Sequence, residues 1–240
     1  MKDPLINPTE VINVLKRNRS SFHPVVPFNA SKDKLKLIDF TSANNSLTEQ
    51  IFADTSLFER YIEHQLEKAD AMYGIGGYAE LRTVYSRSKV FDAPNPWEEP
   101  RRLHLGTDIW GKVNTPVYAP FGGMVHSFAF NDHYGDYGAT MIILHQLDGF
   151  PFYTLYGHLS LADIEKLTEG QYINRGQEIA HFGKPDENGH WPPHLHFQII
   201  LDMGYKEGDY PGVCRYSERE KFLANSPDPD IILQMMQYAQ

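Results

Sequence analysis

Apolar positions recur with helical spacing in the first third of the chain and with a period of two thereafter. Val11, Val14 and Leu15 follow the start signal Asn7-Pro8-Thr9-Glu10, which predicts a helix ending near Arg19. Phe58, Ile62, Leu66 and Ala69 follow Ser56, with Glu59 as capping partner, and predict a second helix reaching about Asp70. Between them, residues 22–29 read as extended chain and 35–40 as a short strand. The glycines of 74–77 read as a hinge. With no strand before them and no helix after, they do not form a dinucleotide-binding loop.

From Tyr78 the texture changes to short runs separated by glycine, proline and aspartate. Strands are predicted over 82–85, 108–109, 117–119, 123–130, 139–145, 152–158, 178–182 and 194–201, with a two-turn helix over 161–167 started by Ser160. The proline-rich segment 94–100 is too rigid for either element and reads as a loop forming one wall of a site near His104. After Gly208 the pattern turns helical again, with a capping box at Ser217-Glu218-Arg219-Glu220 and a short helix over 231–238. The expected fold is mainly β with helical extensions (α+β) around an antiparallel core. Its expected units are a mostly helical extension 1–77, a β domain 78–207 and a helical tail 208–240.

Composition narrows the function. A formal net charge of −9 argues against nucleic acid or an anionic membrane surface as partner, since both call for clustered basic residues. No apolar run approaches the length of a membrane span. The single cysteine, Cys214, excludes an internal disulfide, fits a reducing compartment and reads as a small buried filler. Met1 to Pro8 contain no secretory leader, so the expected compartment is the cytoplasm, with the envelope open to a trimmed or otherwise exported chain.

The chemistry gathers on the last predicted strand. His194, His196 and Gln198 share one face, while Leu195, Phe197 and Ile199 share the other, so the apolar face belongs to the core. Pro192 and Pro193 cannot donate to a ladder, which places both imidazoles at a strand entrance, near solvent. Two histidines alone prove little in a chain with 11. Partners stand in His104-Leu105-Gly106-Thr107-Asp108 and Tyr156-Gly157-His158-Leu159. If His104, Asp108 and His196 meet, two imidazoles and a carboxylate make a three-ligand set for Zn²⁺ with a fourth position for water, Gly106 allowing the backbone to bend. His158 and His194 would then lie beside the metal as acid and base. The other seven histidines read as structural, with His190 considered for substrate contact. Trp110, Trp191 and Tyr156 read as core aromatics with groove lining as the alternative.

These motifs resemble the M23 family of zinc metallopeptidases, of the LytM and lysostaphin type, with its H-x-x-x-D, intermediate histidine and H-x-H in the same order. The stretches 114–120, 122–125, 169–171 and 175–177 are similar to the family's strand and turn sequences, and the likeness covers roughly 103–201. It implies an antiparallel fold of the duplicated hybrid motif kind, one Zn²⁺, and endopeptidase action on peptidoglycan stem or cross-link peptides. It further implies His104, Asp108 and His196 as metal ligands and His158 and His194 as the catalytic pair. The stretch 186–193 departs from the family's glycine and serine run, and an insertion around 131–137 lengthens a hairpin beside the groove. Two alternatives accompany this reading. One is a non-catalytic domain that activates a partner hydrolase, which would be expected to have lost ligands that stand here. The other is a zinc peptidase acting on a cytoplasmic peptide.

Overall fold

A computed structural model describes residues 7–240. The leader reading rests on residues that lie mostly outside the described ones. Among the described residues the strands are β1 (Leu35–Leu37), β2 (Tyr73–Gly76), β3 (Leu103–His104), β4 (Thr107–Trp110), β5 (Pro116–Tyr118), β6 (Gly123–Asn131), β7 (Gly138–Leu147), β8 (Phe150–Leu159), β9 (Tyr172–Ile173), β10 (Glu178–His181), β11 (His194–Ile200) and β12 (Val213–Cys214). Eight of them form one sheet in the order β1-β2-β4-β11-β8-β7-β6-β9, antiparallel except for the β1–β2 pair, while β5–β10 and β3–β12 form two small sheets. The mainly β, antiparallel expectation therefore holds. No helix among the described residues is long and apolar enough to cross a membrane.

The helices are α1 (Pro8–Arg17), α2 (Glu49–Ala53), α3 (Thr55–Ala69), α4 (Leu161–Ile164), α5 (Arg219–Asn225) and α6 (Asp230–Leu233). Asn7 caps α1 as its sequence predicts, accepting from the Thr9 N–H at 3.1 Å. Helix α3 starts earlier than Ser56, because Asp54 accepts from the Leu57 N–H at 2.9 Å and takes the cap role. Ser217 caps nothing: Glu99 accepts the Tyr216 and Ser217 N–H groups, and α5 begins only at Arg219. Asp230 accepts from the Met235 and Met236 N–H groups, so α6 stops before residues 234–238 instead of running through them.

Two expectations are overturned by packing. Residues 74–77 are not a hinge: Tyr73–Gly76 is a buried strand between β1 and β4. Its glycines permit close approach, since a Cβ on Gly74 would lie 2.7 Å from Ile38 Cγ1, and one on Gly76 2.6 Å from the Ile38 carbonyl oxygen. Residues 82–85 make no strand; Leu81 contributes a single bridge to Leu103, and Val84–Arg87 closes a 3₁₀ turn that lets the Arg82 side chain point inward.

The sheet has a core on each face. Leu195, Phe197 and Ile199 of β11 pack with Tyr156, Ile109 and Val117 on one side. On the other, Phe40, Phe58 and Ile62 of the N-terminal region pack with Tyr85, Trp110 and Trp191. The chain end returns to this region, Gln240 exchanging backbone hydrogen bonds with Leu35 and Leu37 of β1.

Candidate active site

Strand register brings the first two site residues together. β11 pairs with β4 so that His196 faces Asp108 and His194 faces Trp110 across the ladder, and directly opposed residues project to the same side. His104 arrives from β3 in the small sheet, three residues before β4 begins at Thr107. Gly106 permits this by absence of bulk rather than by bending, for a Cβ there would lie 2.4 Å from His196 Cε1. Gly106→Ala is therefore expected to push the His196 ring aside and weaken metal binding by about 10–100-fold, measured by competition with a chelating indicator.

His104 Nε2, His196 Nδ1 and Asp108 Oδ1 form a triangle with sides of 2.8, 3.1 and 3.3 Å. Donors ~2.0–2.1 Å from a tetrahedral ion stand about 3.3 Å apart, so the triangle fits one cation with little adjustment. The outward hydrogen bonds set the tautomers. His104 Nδ1 faces the Gly77 carbonyl at 2.9 Å, so it carries the proton and Nε2 presents a lone pair. His196 Nε2 faces Gln198 Oε1 at 2.9 Å, and the Gln198 amide is oriented by donating to Ser226 Oγ and the Pro211 carbonyl. Two imidazole lone pairs and a carboxylate oxygen thus converge with no proton between them, an arrangement that a divalent cation neutralises.

Asp108 divides its oxygens: Oδ1 belongs to this triangle, while Oδ2 accepts from Arg82 Nη1 at 2.5 Å. Arg82 is 3% exposed, donates from Nε to Glu80 Oε2 at 2.6 Å and lies over the Phe40 ring at 5.1 Å. Burial alone would raise the Asp108 carboxyl, but the adjacent His104 ring and the Arg82 guanidinium outweigh it and hold it well below its ordinary range. Burial, then the Arg82 charge, lowers His104 to about 3.

His158 reaches the site by breaking the alternation of its strand. Phe152 and Tyr156 of β8 point into the core with Phe197, and period two would send His158 the same way. The β7–β8 register slips between Ala139 and Met141, and His158 adopts φ = 64°, in the left-handed region. This bulge turns its ring over to stack on His194, with centroids 4.0 Å apart. His158 Nδ1 donates to the Asn188 carbonyl and His194 Nδ1 to the Pro192 carbonyl, both at 2.8 Å, so each ring keeps a lone pair on Nε2. Burial pushes His158 well below its ordinary value and His194 to about 4, so both rings are neutral at pH 7.

All five residues line one cavity of about 220 Å³. Contrary to the strand-entrance expectation, they are buried, none being more than 6% exposed, because residues 82–91 and Trp191 cover the strand end. The loop 94–100 is not a wall. It is held away by Glu98, which pairs with Arg215 at 3.1 Å, and its Trp97 is 83% exposed. Trp110 stacks on His194 at 3.8 Å and lines the cavity with Trp191, whereas Tyr156 belongs wholly to the opposite core. His190 does not line the cavity; its ring stacks on Tyr134. Arg82, Asn188 and the orienting role of Gln198 escaped the sequence reading. Only Gln198 carried a signal, its place on the histidine face of β11.

Residues 102–207 match the sequence model of peptidase family M23. The chain is 29% identical over 154 residues to an L-Ala--D-Glu endopeptidase of Bacillus subtilis (strain 168), covering 61% of this chain and 45% of that relative, less than half its length. Among solved structures it is similar to a zinc-containing peptidase from Vibrio cholerae, with a TM-score of 0.34 and 28% identity over 46% of this chain and 31% of that one. It is also similar to the catalytic domain of lysostaphin from Staphylococcus simulans, with a TM-score of 0.38 and 19% identity over 69% of this chain and 96% of that one. The stretch that matches the peptidase family M23 model contains all five residues of the site, His104, Asp108, His158, His194 and His196.

Proposed function

We propose that the protein is a zinc-dependent peptidase that hydrolyses peptide bonds in peptidoglycan stem or cross-link peptides, with His104, Asp108 and His196 as metal ligands and His158 and His194 as acid and base. The observation that carries this reading is the convergence of three unprotonated donor atoms within 3.3 Å of one another, two of them with their outward N–H groups already engaged. Zinc bound there would polarise a substrate carbonyl and lower the pKa of water to about 7. The substrate class is supported by the similarity to a relative named as an L-Ala--D-Glu endopeptidase.

The chain's own part is proton management. Each ring of the His158–His194 pair is held by a backbone carbonyl at Nδ1 and offers Nε2 as acceptor. Together they take a proton from the attacking water and return it to the leaving amine nitrogen, a contribution of roughly 10²–10⁴-fold. Stacking on Trp110 fixes the plane of His194, and the left-handed turn at His158 fixes the other ring. Arg82 holds Asp108 Oδ2, leaving Oδ1 for the metal.

His194→Ala tests this division of labour. The variant is expected to keep one zinc per chain by elemental analysis while losing about 100-fold or more in kcat/KM on a stem peptide. A wild-type protein that binds no zinc, or a variant with full activity, would overturn the assignment.

A further inference from the structure

One side chain touches both the metal-ligand set and the acid–base pair. Tyr137, the residue that leads the 131–137 hairpin into β7, lies with its ring centroid 5.1 Å from that of His196 and 5.7 Å from that of His158. It is buried and lines the cavity. Two glycines make the slot it fills: a Cβ on Gly157 of β8 would lie 2.5 Å from Tyr137 Cδ1, and one on Gly212 would overlap its hydroxyl oxygen. A phenylalanine would fill most of that slot; the buried hydroxyl marks the difference, and it needs partners.

The hydroxyl donates to the Tyr210 carbonyl at 3.2 Å and faces His196 Nε2 at 3.4 Å. Because its own proton goes to Tyr210, it meets the His196 N–H as an acceptor, sharing that proton with Gln198 Oε1. Two acceptors on one N–H fix the tilt of the imidazole as well as its tautomer. The metal-facing atom of His196 is Nδ1, so Tyr137 works through that ring and not on the reacting atoms.

The backbone of the same residue reaches the other histidine. The Tyr137 carbonyl accepts from the His158 N–H at 2.9 Å. That contact matters because His158 holds φ = 64°, a conformation that a residue with a Cβ keeps only where its surroundings impose it. The hairpin also grips the stretch that orients the ring. Gly135 donates to the Gly189 carbonyl at 2.8 Å and Ala139 to the Glu187 carbonyl at 3.0 Å, on either side of Asn188, whose carbonyl accepts from His158 Nδ1.

On the zinc-peptidase reading above, we propose that Tyr137 is a positioning residue for both halves of the site. Its hydroxyl and ring hold His196 toward the metal, and its carbonyl, anchored by the buried ring, holds the turn that brings His158 onto His194. The 131–137 hairpin is thereby a support of the catalytic centre.

The test compares Tyr137→Phe, which keeps the ring, with Tyr137→Leu, which loses it. Zinc affinity is read by competition with a chelating indicator, and kcat and KM on a stem peptide. The His158 tautomer is read by nitrogen-15 NMR of labelled histidine, its signal assigned by its loss in His158→Gln. Tyr137→Phe is expected to bind zinc about tenfold more weakly, to keep the His158 proton on Nδ1 and, once saturated with zinc, to keep kcat within about threefold. Tyr137→Leu is expected to bind zinc about 10–100-fold more weakly and to show His158 in both tautomers. Saturated with zinc, it should lose about 100-fold in kcat with KM changed less than about threefold. A tyrosine that only fills space would lower the melting temperature of Tyr137→Leu and leave affinity, tautomer and saturated kcat at their parental values, a result that would overturn the proposal. Should Tyr137→Leu not fold, parental zinc affinity in Tyr137→Phe overturns it alone. A parent that binds zinc and cleaves no peptide would overturn the peptidase reading, and the affinity and tautomer measurements would still decide the role of Tyr137.

Discussion

On the zinc-peptidase reading, replacing His196 by alanine is expected to abolish metal binding and lower kcat/KM by about 10⁴-fold or more, because both the activated water and the polarised carbonyl would go with the ion. His196 sits at the centre of the triangle's support. It contributes one corner directly, it faces Asp108 across the β4–β11 ladder, and its outward N–H is received by Gln198. Without the ring, His104 Nε2 and Asp108 Oδ1 remain 3.3 Å apart, too few donors for a tight zinc site. The folding cost is smaller, about 1–3 kcal/mol, arising mainly from Gln198 Oε1 left buried without its donor. Elemental analysis and thermal melting separate the two effects. A chelator should reproduce the activity loss in the parent protein, and added zinc should restore the parent but not the variant.

Replacing Arg82 by methionine is expected to destabilise the metal-free protein by about 3–5 kcal/mol, because two carboxylates lose a buried cation. Asp108 is 2% exposed and cannot recover through solvent what it loses, and Glu80, which accepts from the same guanidinium, recovers only part. In a chain of this size the melting temperature should fall by roughly 10 °C. The pH dependence has a definite sign. In the parent, Asp108 is held well below its ordinary value, so its contribution is complete above the unfolded-state pKa and is lost only as pH falls through the depressed native one. In the variant, burial is opposed only by the His104 and His196 rings, so the native carboxyl rises from its depressed value, and the stability deficit should shrink as pH falls through the acid range where that carboxyl takes up its proton. Zinc, by supplying positive charge at Oδ1, should also reduce the deficit. Adding Glu80→Gln to the variant should recover part of it, since only one carboxylate then remains unpaired. Equal melting temperatures for parent and Arg82→Met would show that the guanidinium neither stabilises Asp108 nor orients it.

Much of the site was legible from spacing. That His194, His196 and Gln198 share a face follows from strand geometry, and the opposite face of Leu195, Phe197 and Ile199 is core as alternation requires. His104 and Asp108 lie close in sequence, so little chain separates them, and Gly106 between them leaves room for the His196 ring. The same reasoning misplaced the site's exposure, since the prolines before β11 mark where the strand starts and carry no information about what covers it. It also read 74–77 as a hinge, because glycine signals freedom in a sequence and close approach only once Ile38 is seen against it.

Backbone geometry acts over a few residues, so the sequence by itself determined the antiparallel β character, the face on which the imidazoles stand and the residue types gathered there. Only the tertiary structure decided that His158 leaves its expected face at a bulge, that Arg82 takes one oxygen of Asp108, and that the 131–137 hairpin is joined to residues 84–91. Each of those depends on residues outside its own segment: Arg82 on Asp108, 26 positions away, Arg87 on Tyr134, 47 positions away, and His158 on the register of β7 against β8. Their proximity is set by how two cores pack against opposite faces of one sheet, and no local periodicity encodes that.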